Sequence, residues 1–258
     1  MRHVVDARGA AVALPDRVER VVSLVPSLTE WLVVAGVGER LVGVTDWCVE
    51  PAGALDGLAR VRGTKNPDLA AVRGLAPDLV VANAEENRKL DVQRLEAGGL
   101  AVFVTMPTTV AGAVTELRDL AAAVGDLPGA AALDAELVAA VGDAYHDRPA
   151  RRRRYACAVW RDPWMWLGRR TYAADLPVLD DPATRYPKLD PADLAALAPE
   201  LVLLPSEPYA FAEADAGEVA AGFPGARVEL VDGRALTWYG PRIPAALASF
   251  RELLGAAA

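Results

Sequence analysis

An internal repeat restricts the fold of this chain more than any other feature. Residues 75–82 read Leu-Ala-Pro-Asp-Leu-Val-Val-Ala, and residues 197–204, 122 positions later, read Leu-Ala-Pro-Glu-Leu-Val-Leu-Leu. Each copy follows an Ala- and Leu-rich helical stretch. Each is a short apolar run bounded by turn residues, the pattern of a buried parallel strand. An acidic, polar segment comes next, Asn83-Ala84-Glu85-Glu86-Asn87 in one half and Pro205-Ser206-Glu207-Pro208 in the other. A further strand pattern then follows, at 101–105 and at 227–231. Matching order, spacing and flanks argue for two lobes of similar topology, and 258 residues suit two domains.

The first half alternates between the two periodicities. Strand patterns lie at 21–24, 42–44, 79–82 and 102–104, with helical patterns starting near Ser27, Asp68, Lys89 and Val110. This alternation predicts a parallel sheet covered by helices. Ser27 with Glu30 three residues on has the form of a capping box. Residues 129–145 carry Leu133, Leu137, Val138 and Val141 at helical spacing, with Pro128 before and Pro149 after. They read as one long connecting helix, a single crossing between the lobes. The second half has strand patterns at 155–160, 164–167, 201–204 and 228–231 and a closing helix over 243–254. The predicted fold is α/β, with two Rossmann-like lobes, each holding a parallel sheet, joined by a backbone helix. Its parts are an N-terminal lobe over 1–125, the connecting helix over 126–149 and a C-terminal lobe over 150–258.

Composition removes several function classes. The net charge of −8 opposes nucleic acid as a partner, because phosphate binding needs a basic surface. The basic run Arg151-Arg152-Arg153-Arg154 stands alone and reads as a solvated strand entry. No stretch reaches the roughly 18–20 apolar residues of a membrane span, so no membrane insertion is expected. Met1-Arg2-His3-Val4-Val5-Asp6 has neither the form of a secretory leader nor a lipidation Cys. As written, the chain is expected in the cytoplasm; with a leader removed, the same chain would be extracytoplasmic. Cys48 and Cys157 have no metal-ligand spacing, and Cys157 sits in an apolar run as a buried thiol.

In open parallel sheets ligands bind beyond the carboxyl ends of the strands. The loops at those ends hold Trp47, Trp164, Tyr209, Phe211, Trp238 and Tyr239, rings that offer flat contact area to a planar or macrocyclic ligand. Trp160 and Trp166 fall within strands and read as packing residues. His3 and His146 follow no strand, so neither is placed as a general base or metal ligand. Glu85, Glu86 and Glu207 occupy equivalent positions in the two halves, either as a solvated rim or as an acid/base pair. Arg161 and Arg242 suit carboxylate or phosphate groups, with surface ion pairing as the plainer reading. Gly36-Val37-Gly38 does not open a helix directly after a strand, so dinucleotide binding has little support.

Longer motifs carry a resemblance. Val22-Ser23-Leu24-Val25-Pro26-Ser27-Leu28-Thr29-Glu30, Gly43-Val44-Thr45-Asp46-Trp47-Cys48, Gly63-Thr64-Lys65-Asn66-Pro67-Asp68-Leu69 and the strand ending at Asn83 resemble the helical-backbone metal-receptor superfamily. These are class III solute-binding proteins for cobalamin, ferric siderophores and haem. Trp160-Arg161-Asp162-Pro163-Trp164-Met165, Arg185-Tyr186-Pro187, Pro205-Ser206-Glu207-Pro208-Tyr209 and Asp232-Gly233-Arg234-Ala235-Leu236-Thr237-Trp238-Tyr239-Gly240 are similar to its cobalamin-type branch. The resemblance implies a ligand cleft lined by Trp47, Thr64 and Asn83 from one lobe and Trp164, Tyr186 and Arg242 from the other. Relatives often carry Trp at the positions of Thr64, Asn83 and Tyr186, so this lining is more polar. The superfamily's transporter-docking glutamates fall here on Ala70 and Ala192, which removes two charge pairs from permease docking. Relatives also have about ten more residues, several helical turns, in the stretch 171–180.

The expected function is binding of a metal chelate in the inter-lobe cleft, a corrinoid ahead of a ferric siderophore or haem, without catalysis and without a covalent cofactor or a metal ligand from the protein. The site residues are Trp47, Thr64, Asn83, Glu86, Trp164, Tyr186, Glu207, Tyr209, Trp238, Tyr239 and Arg242. Two other readings stay open. One is a transport receptor for an ABC importer. The other is a biosynthetic enzyme that has reused the cleft, with Glu85, Glu86, Glu207 or Tyr239 as working groups.

Overall fold

The structure, a computed structural model, describes residues 1–125, 127–147, 153–168, 171–175 and 184–254. The chain divides into two units. Unit 1 is Met1–Pro107, Gly112–Val138 and Tyr239–Pro241; unit 2 is Thr108–Ala111, Ala139–Trp238 and Arg242–Ala258.

Unit 1 opens with an antiparallel hairpin, β1 (Arg2–Val5) and β2 (Ala11–Leu14). Next come β3 (Val21–Ser23), α1 (Pro26–Leu32), a π turn (Val33–Val37), a 3-10 turn (Gly38–Arg40) and β4 (Leu41–Val44). β5 (Ala59–Arg60), β6 (Arg62–Gly63), β7 (Asn66–Pro67) and α2 (Leu69–Gly74) lead to β8 (Leu79–Asn83). α3 (Lys89–Ala97), β9 (Val102–Thr105) and α4 (Val110–Val124) complete the alternation. The sheet has the order β5-β4-β3-β8-β9, parallel throughout. β3, β8 and β9 are buried on both faces, which is why they read as continuous apolar runs. One core cluster packs Val22, Leu24, Val80, Ala82, Val102 and Val104 against Val72 and Leu95 from the helices.

α5 (Ala130–His146) is the expected long helix, and the division between the units falls within it. The expected boundaries near 126 and 149, with Arg151 and Arg152, lie outside the described residues.

Unit 2 contains β10 (Tyr155–Trp160), β11 (Met165–Trp166), α6 (Tyr172–Asp175), α7 (Pro191–Ala195) and β12 (Leu201–Pro205). α8 (Glu213–Gly222), β13 (Arg227–Val231), α9 (Gly233–Thr237) and α10 (Ile243–Leu254) follow. Its sheet has the order β11-β10-β12-β13. β10, β12 and β13 run parallel, but β11 pairs antiparallel with β10, so this sheet is mixed where a parallel one was expected. Its core packs Ala156, Ala158, Trp166, Val202 and Leu204 with Leu194, Val219 and Phe223. Residues 176–180 of the stretch expected to be short lie outside the described residues. No helix among the described residues is long and apolar enough to cross a membrane.

The repeat has a structural cause. In unit 1 the Arg20 carbonyl accepts from the backbone N–H groups of Asp78 (2.8 Å) and Leu79 (3.2 Å). The Asp78 carboxylate accepts in return from the N–H groups of Glu19 (2.8 Å) and Arg20 (2.9 Å). In unit 2 the Arg154 carbonyl accepts from the N–H groups of Glu200 and Leu201, and the Glu200 carboxylate accepts from the Arg154 N–H at 3.0 Å. The acidic residue of each Ala-Pro-Asp/Glu copy therefore pins the start of the neighbouring parallel strand and sets its register. Asp68 and Asp190, at the same offset, are the N-caps of α2 and α7, and Asp68 accepts from the Ala70 and Ala71 N–H groups. Ala70 and Ala192 are then the exposed second residues of the two helices. At α1 the capping box does not form. Val25 is the N-cap, Pro26 starts the helix, and the buried Ser27 hydroxyl has no hydrogen-bond partner among the described residues. Proline fixes the start at itself, which moves Ser27 inside the helix.

Ala76 and Ala198, also one repeat apart, both hold left-handed backbone, with φ of 44° and 47°. An L side chain there costs roughly 1–2 kcal/mol. Glycine removes that cost but loses about 0.4–1 kcal/mol through the unfolded chain. Ala76→Gly and Ala198→Gly are expected to be neutral or stabilising by up to about 1 kcal/mol in urea unfolding. Ala71→Gly, inside α2, is expected to cost about 0.5–1 kcal/mol. Equal losses at all three positions would contradict the strain argument.

Candidate functional site

The carboxyl end of the unit 1 sheet is built on polar residues that close each strand. Asn83, the last residue of β8, is buried, and its amide is fully used. Its Nδ2 donates to Tyr239 Oη (2.9 Å) and Thr105 Oγ1 (3.2 Å), while Oδ1 accepts from the N–H groups of Glu85 (2.8 Å) and Glu86 (3.1 Å). Thr105 Oγ1, at the end of β9, donates to the Ala82 carbonyl and lies 2.7 Å from Tyr239 Oη. Asn83 supplies only hydrogens here and Thr105 spends its own on Ala82, so the Tyr239 O–H donates to Thr105. Burial, with the Glu86 carboxylate as a second cause, holds the Tyr239 hydroxyl well above the usual tyrosine range. Asn87 closes the turn: its Oδ1 accepts from Asn83 N (2.8 Å) and its Nδ2 donates to the carbonyls of Thr64 (2.9 Å) and Leu24 (3.3 Å).

Beside this network the exit of β4 carries Trp47, 66% exposed. A Cβ on Gly63 would stand 2.5 Å from Asn66 Oδ1 and 3.3 Å from Trp47 Nε1, so glycine lets the β6–β7 turn, with half-buried Thr64, pass against the indole. Cys48 is buried among hydroxyls, 3.1 Å from both Thr29 Oγ1 and Thr45 Oγ1, and burial pushes its thiol up. Cys157 is pushed up to about 12 by burial, and both cysteines are free. Glu116 on α4 accepts from the Met106 N–H at 2.6 Å, and burial raises its carboxyl.

The carboxyl end of the unit 2 sheet is aromatic. Trp160, 42% exposed, packs edge-on against Tyr209 at 5.6 Å. Tyr209 leans on Phe211 at 4.6 Å, and Trp164 stacks between Phe211 (5.9 Å) and Trp166 (5.4 Å). Arg161 lies over the Trp164 ring at 5.8 Å and is held by Asp215 and Glu218, so its charge is already paired. Trp160 thus belongs to the exposed surface, not the core, whereas Trp166 is buried as expected. Trp238 is also buried. Its Nε1 donates to Glu207 Oε1 at 2.7 Å, and Arg234 and Arg242 flank the ring at 5.2 and 5.1 Å. Thr237 Oγ1 donates to the same carboxylate oxygen, and Arg234 Nε lies 3.8 Å from the other. A Cβ on Gly233 would meet Glu207 N at 2.5 Å, so glycine allows this close approach. Tyr186 is half-buried, in a segment whose neighbour Pro187 accepts from the Trp166 N–H.

Of the expected site residues, unit 1 thus brings together Trp47, Thr64, Asn83, Glu86 and Tyr239, and unit 2 Trp164, Glu207, Tyr209, Trp238 and Arg242, with Tyr186 beside β11. Thr105, Asn87 and Arg234 went unnoticed in the sequence. For the first two, a polar residue at or just beyond the end of an apolar run was the available signal. Among the described residues no group of His, Cys, Asp and Glu is arranged to hold a metal ion.

A profile of a family described as "Periplasmic binding protein" matches residues 21–155. A cobalamin-binding protein of Halobacterium salinarum is 32% identical over 154 residues, covering 58% of this chain and 42% of that protein. The chain spans less than half the length of the first curated relatives it matches. The periplasmic vitamin B12 binding protein BtuF of Vibrio cholerae superposes with a TM-score of 0.77 at 18% identity, covering 92% of this chain and 96% of that one. The apo periplasmic heme-binding protein RhuT from Roseiflexus sp. RS-1 superposes with a TM-score of 0.74 at 21% identity, covering 90% and 96%. At these identities the solved structures establish the fold.

Tyr239→Phe removes one member of a closed hydrogen-bond circuit and leaves one buried hydrogen of the Asn83 Nδ2 without its partner. It is expected to cost about 1–3 kcal/mol at pH 7. Because the folded-state pKa is raised, the hydroxyl's contribution is intact below about pH 10, the unfolded value, and is lost as pH rises toward the folded value. The penalty of Tyr239→Phe in denaturant unfolding should therefore shrink as pH climbs past about 10. A penalty that grows with pH would contradict this assignment.

Proposed function

The chain belongs to the periplasmic binding protein family, and from that membership we propose that it binds a metal chelate, a corrinoid ahead of haem or a ferric siderophore, and does no chemistry on it. One observation carries the reading. Both sheets present exposed or half-buried rings at their carboxyl ends, Trp47 in unit 1 and Trp160, Trp164 and Tyr209 in unit 2. Ligands of parallel sheets bind at those ends, and flat rings suit a flat macrocycle. The name of the Halobacterium salinarum relative supports a corrinoid. The groups that an enzyme would use are otherwise engaged. Glu207 holds Trp238, and the Tyr239 proton is given to Thr105. A chelate brings its metal already coordinated, so binding needs no protein ligand.

Docking to a permease belongs to the same proposal. The exposed Ala70 and Ala192 leave two charge pairs unmade, and close interfacial pairs can couple by about 1.5–7 kcal/mol. A pull-down with a cobalamin-type permease is expected to recover no complex; a stable complex would contradict this.

Cyanocobalamin and haem, titrated separately against the intrinsic fluorescence, should give saturable tryptophan quenching for at least one. Trp47→Ala should weaken that binding by about two- to tenfold, since a ring pair contributes roughly 0.5–1.5 kcal/mol. It should change stability by no more than about 0.5 kcal/mol, because the ring is exposed. Trp164→Ala should weaken binding too, but at a cost of about 1–3 kcal/mol in stability from two lost ring stacks. No binding of either chelate below the millimolar range would reject the proposal.

A further inference from the structure

We infer that Glu86 is a specificity determinant that makes the unit 1 surface favour a chelate whose rim carries amides over one whose rim carries carboxylates. This rests on the chelate-binding reading above. The Asn83 amide accepts the N–H groups of both Glu85 and Glu86, and the Asn83 carbonyl accepts from Asn87 N at 2.9 Å. The turn is therefore fixed from inside, and Glu86 leaves it from a set backbone position. Asn87 Nδ2 donates to the Thr64 carbonyl and Lys65 to the Glu85 carbonyl, which ties this turn to the β6–β7 turn that passes against Trp47. Glu86 thus stands between the exit of β8 and the turn beside Trp47, and its carboxylate adds to burial in raising the Tyr239 hydroxyl.

Glu116 adds a carboxylate at the exit of β9, where it takes the Met106 N–H, and it too raises Tyr239. Lys65 is a neighbouring cation, and its ammonium donates to the Glu85 carbonyl. Carboxylates and carbonyls accept hydrogen bonds, so a rim amide finds partners here. A rim carboxylate meets like charge instead, on a chain whose net charge is −8.

The test compares one macrocycle in two forms: dicyanocobinamide, with an amide rim, and dicyanocobyrinic acid, with a carboxylate rim. The wild-type chain should bind the amide form about tenfold or more tightly at low salt, several like-charge contacts being at stake. Glu86→Gln, nearly isosteric, should lower that ratio about three- to tenfold, chiefly by tightening the carboxylate form. Lys65→Gln should raise the ratio, and 0.5 M salt should shrink the differences between variants, since exposed charges are screened. If both forms bind and Glu86→Gln leaves the ratio unchanged, the inference fails and chelate binding stands. If neither form binds, the corrinoid form of the chelate-binding reading falls and takes this inference with it.

Discussion

The ligand-side surface of unit 1 depends on one buried circuit, the hydrogen bonds among Asn83, Thr105 and Tyr239. Every donor and acceptor of the Asn83 amide is used, so the turn after β8 and the Tyr239 side chain are fixed together. Breaking such a network at one point leaves buried polar groups without partners, which costs more than the lost bond itself contributed. The circuit therefore fixes the turn after β8, which Asn87 ties to the β6–β7 turn beside exposed Trp47. A surface prepared before binding spends less free energy on ordering when a ligand arrives.

Unit 2 solves the same problem with a carboxylate. Glu207 lies one repeat length after Glu85, on the turn that leaves β12, and it grips the Trp238 indole N–H between two guanidinium groups. Consecutive residues Trp238 and Tyr239 are thus each held by the equivalent turn of one repeat. The duplicated topology is kept, while the chemistry at its strand ends has diverged: polar and acidic in unit 1, aromatic in unit 2. The divergence lies in these ends, and the strands behind them position the residues.

Much of this was legible in the sequence because the signals were local. Eight of the strands and the three longest helices, α4, α5 and α10, follow from apolar periodicity, whereas α8 was missed. The Asp/Glu position of the repeat, conspicuous but unexplained in the sequence, turns out to pin the adjacent strand. What stayed hidden is non-local or competitive. The hairpin β1–β2 is four residues a side with weak alternation, below what a pattern can distinguish. Ser27 looked like a cap, but Val25 is the cap and Pro26 starts the helix, two residues earlier than expected. The Asn83–Tyr239 bond spans 156 residues and nothing in either neighbourhood announces it. Trp164 and Trp238 were expected as open rings. The first is half-buried, stacked on Phe211 and Trp166, and the second is buried against Glu207, so neither is a bare surface ring.

The central claim, in its favoured corrinoid form, is that the chain holds a whole chelate by contact and adds no ligand to its metal. Native mass spectrometry with the absorbance spectrum of the same sample tests it most directly. Chain incubated with cyanocobalamin and desalted should gain the mass of one corrinoid, and the bound spectrum should keep the bands of the free cyano form. Loss of the cyanide with shifted bands would mean that a side chain has entered the coordination sphere, and a chain recovered at its bare mass would mean that no corrinoid is held. Either result would contradict the account.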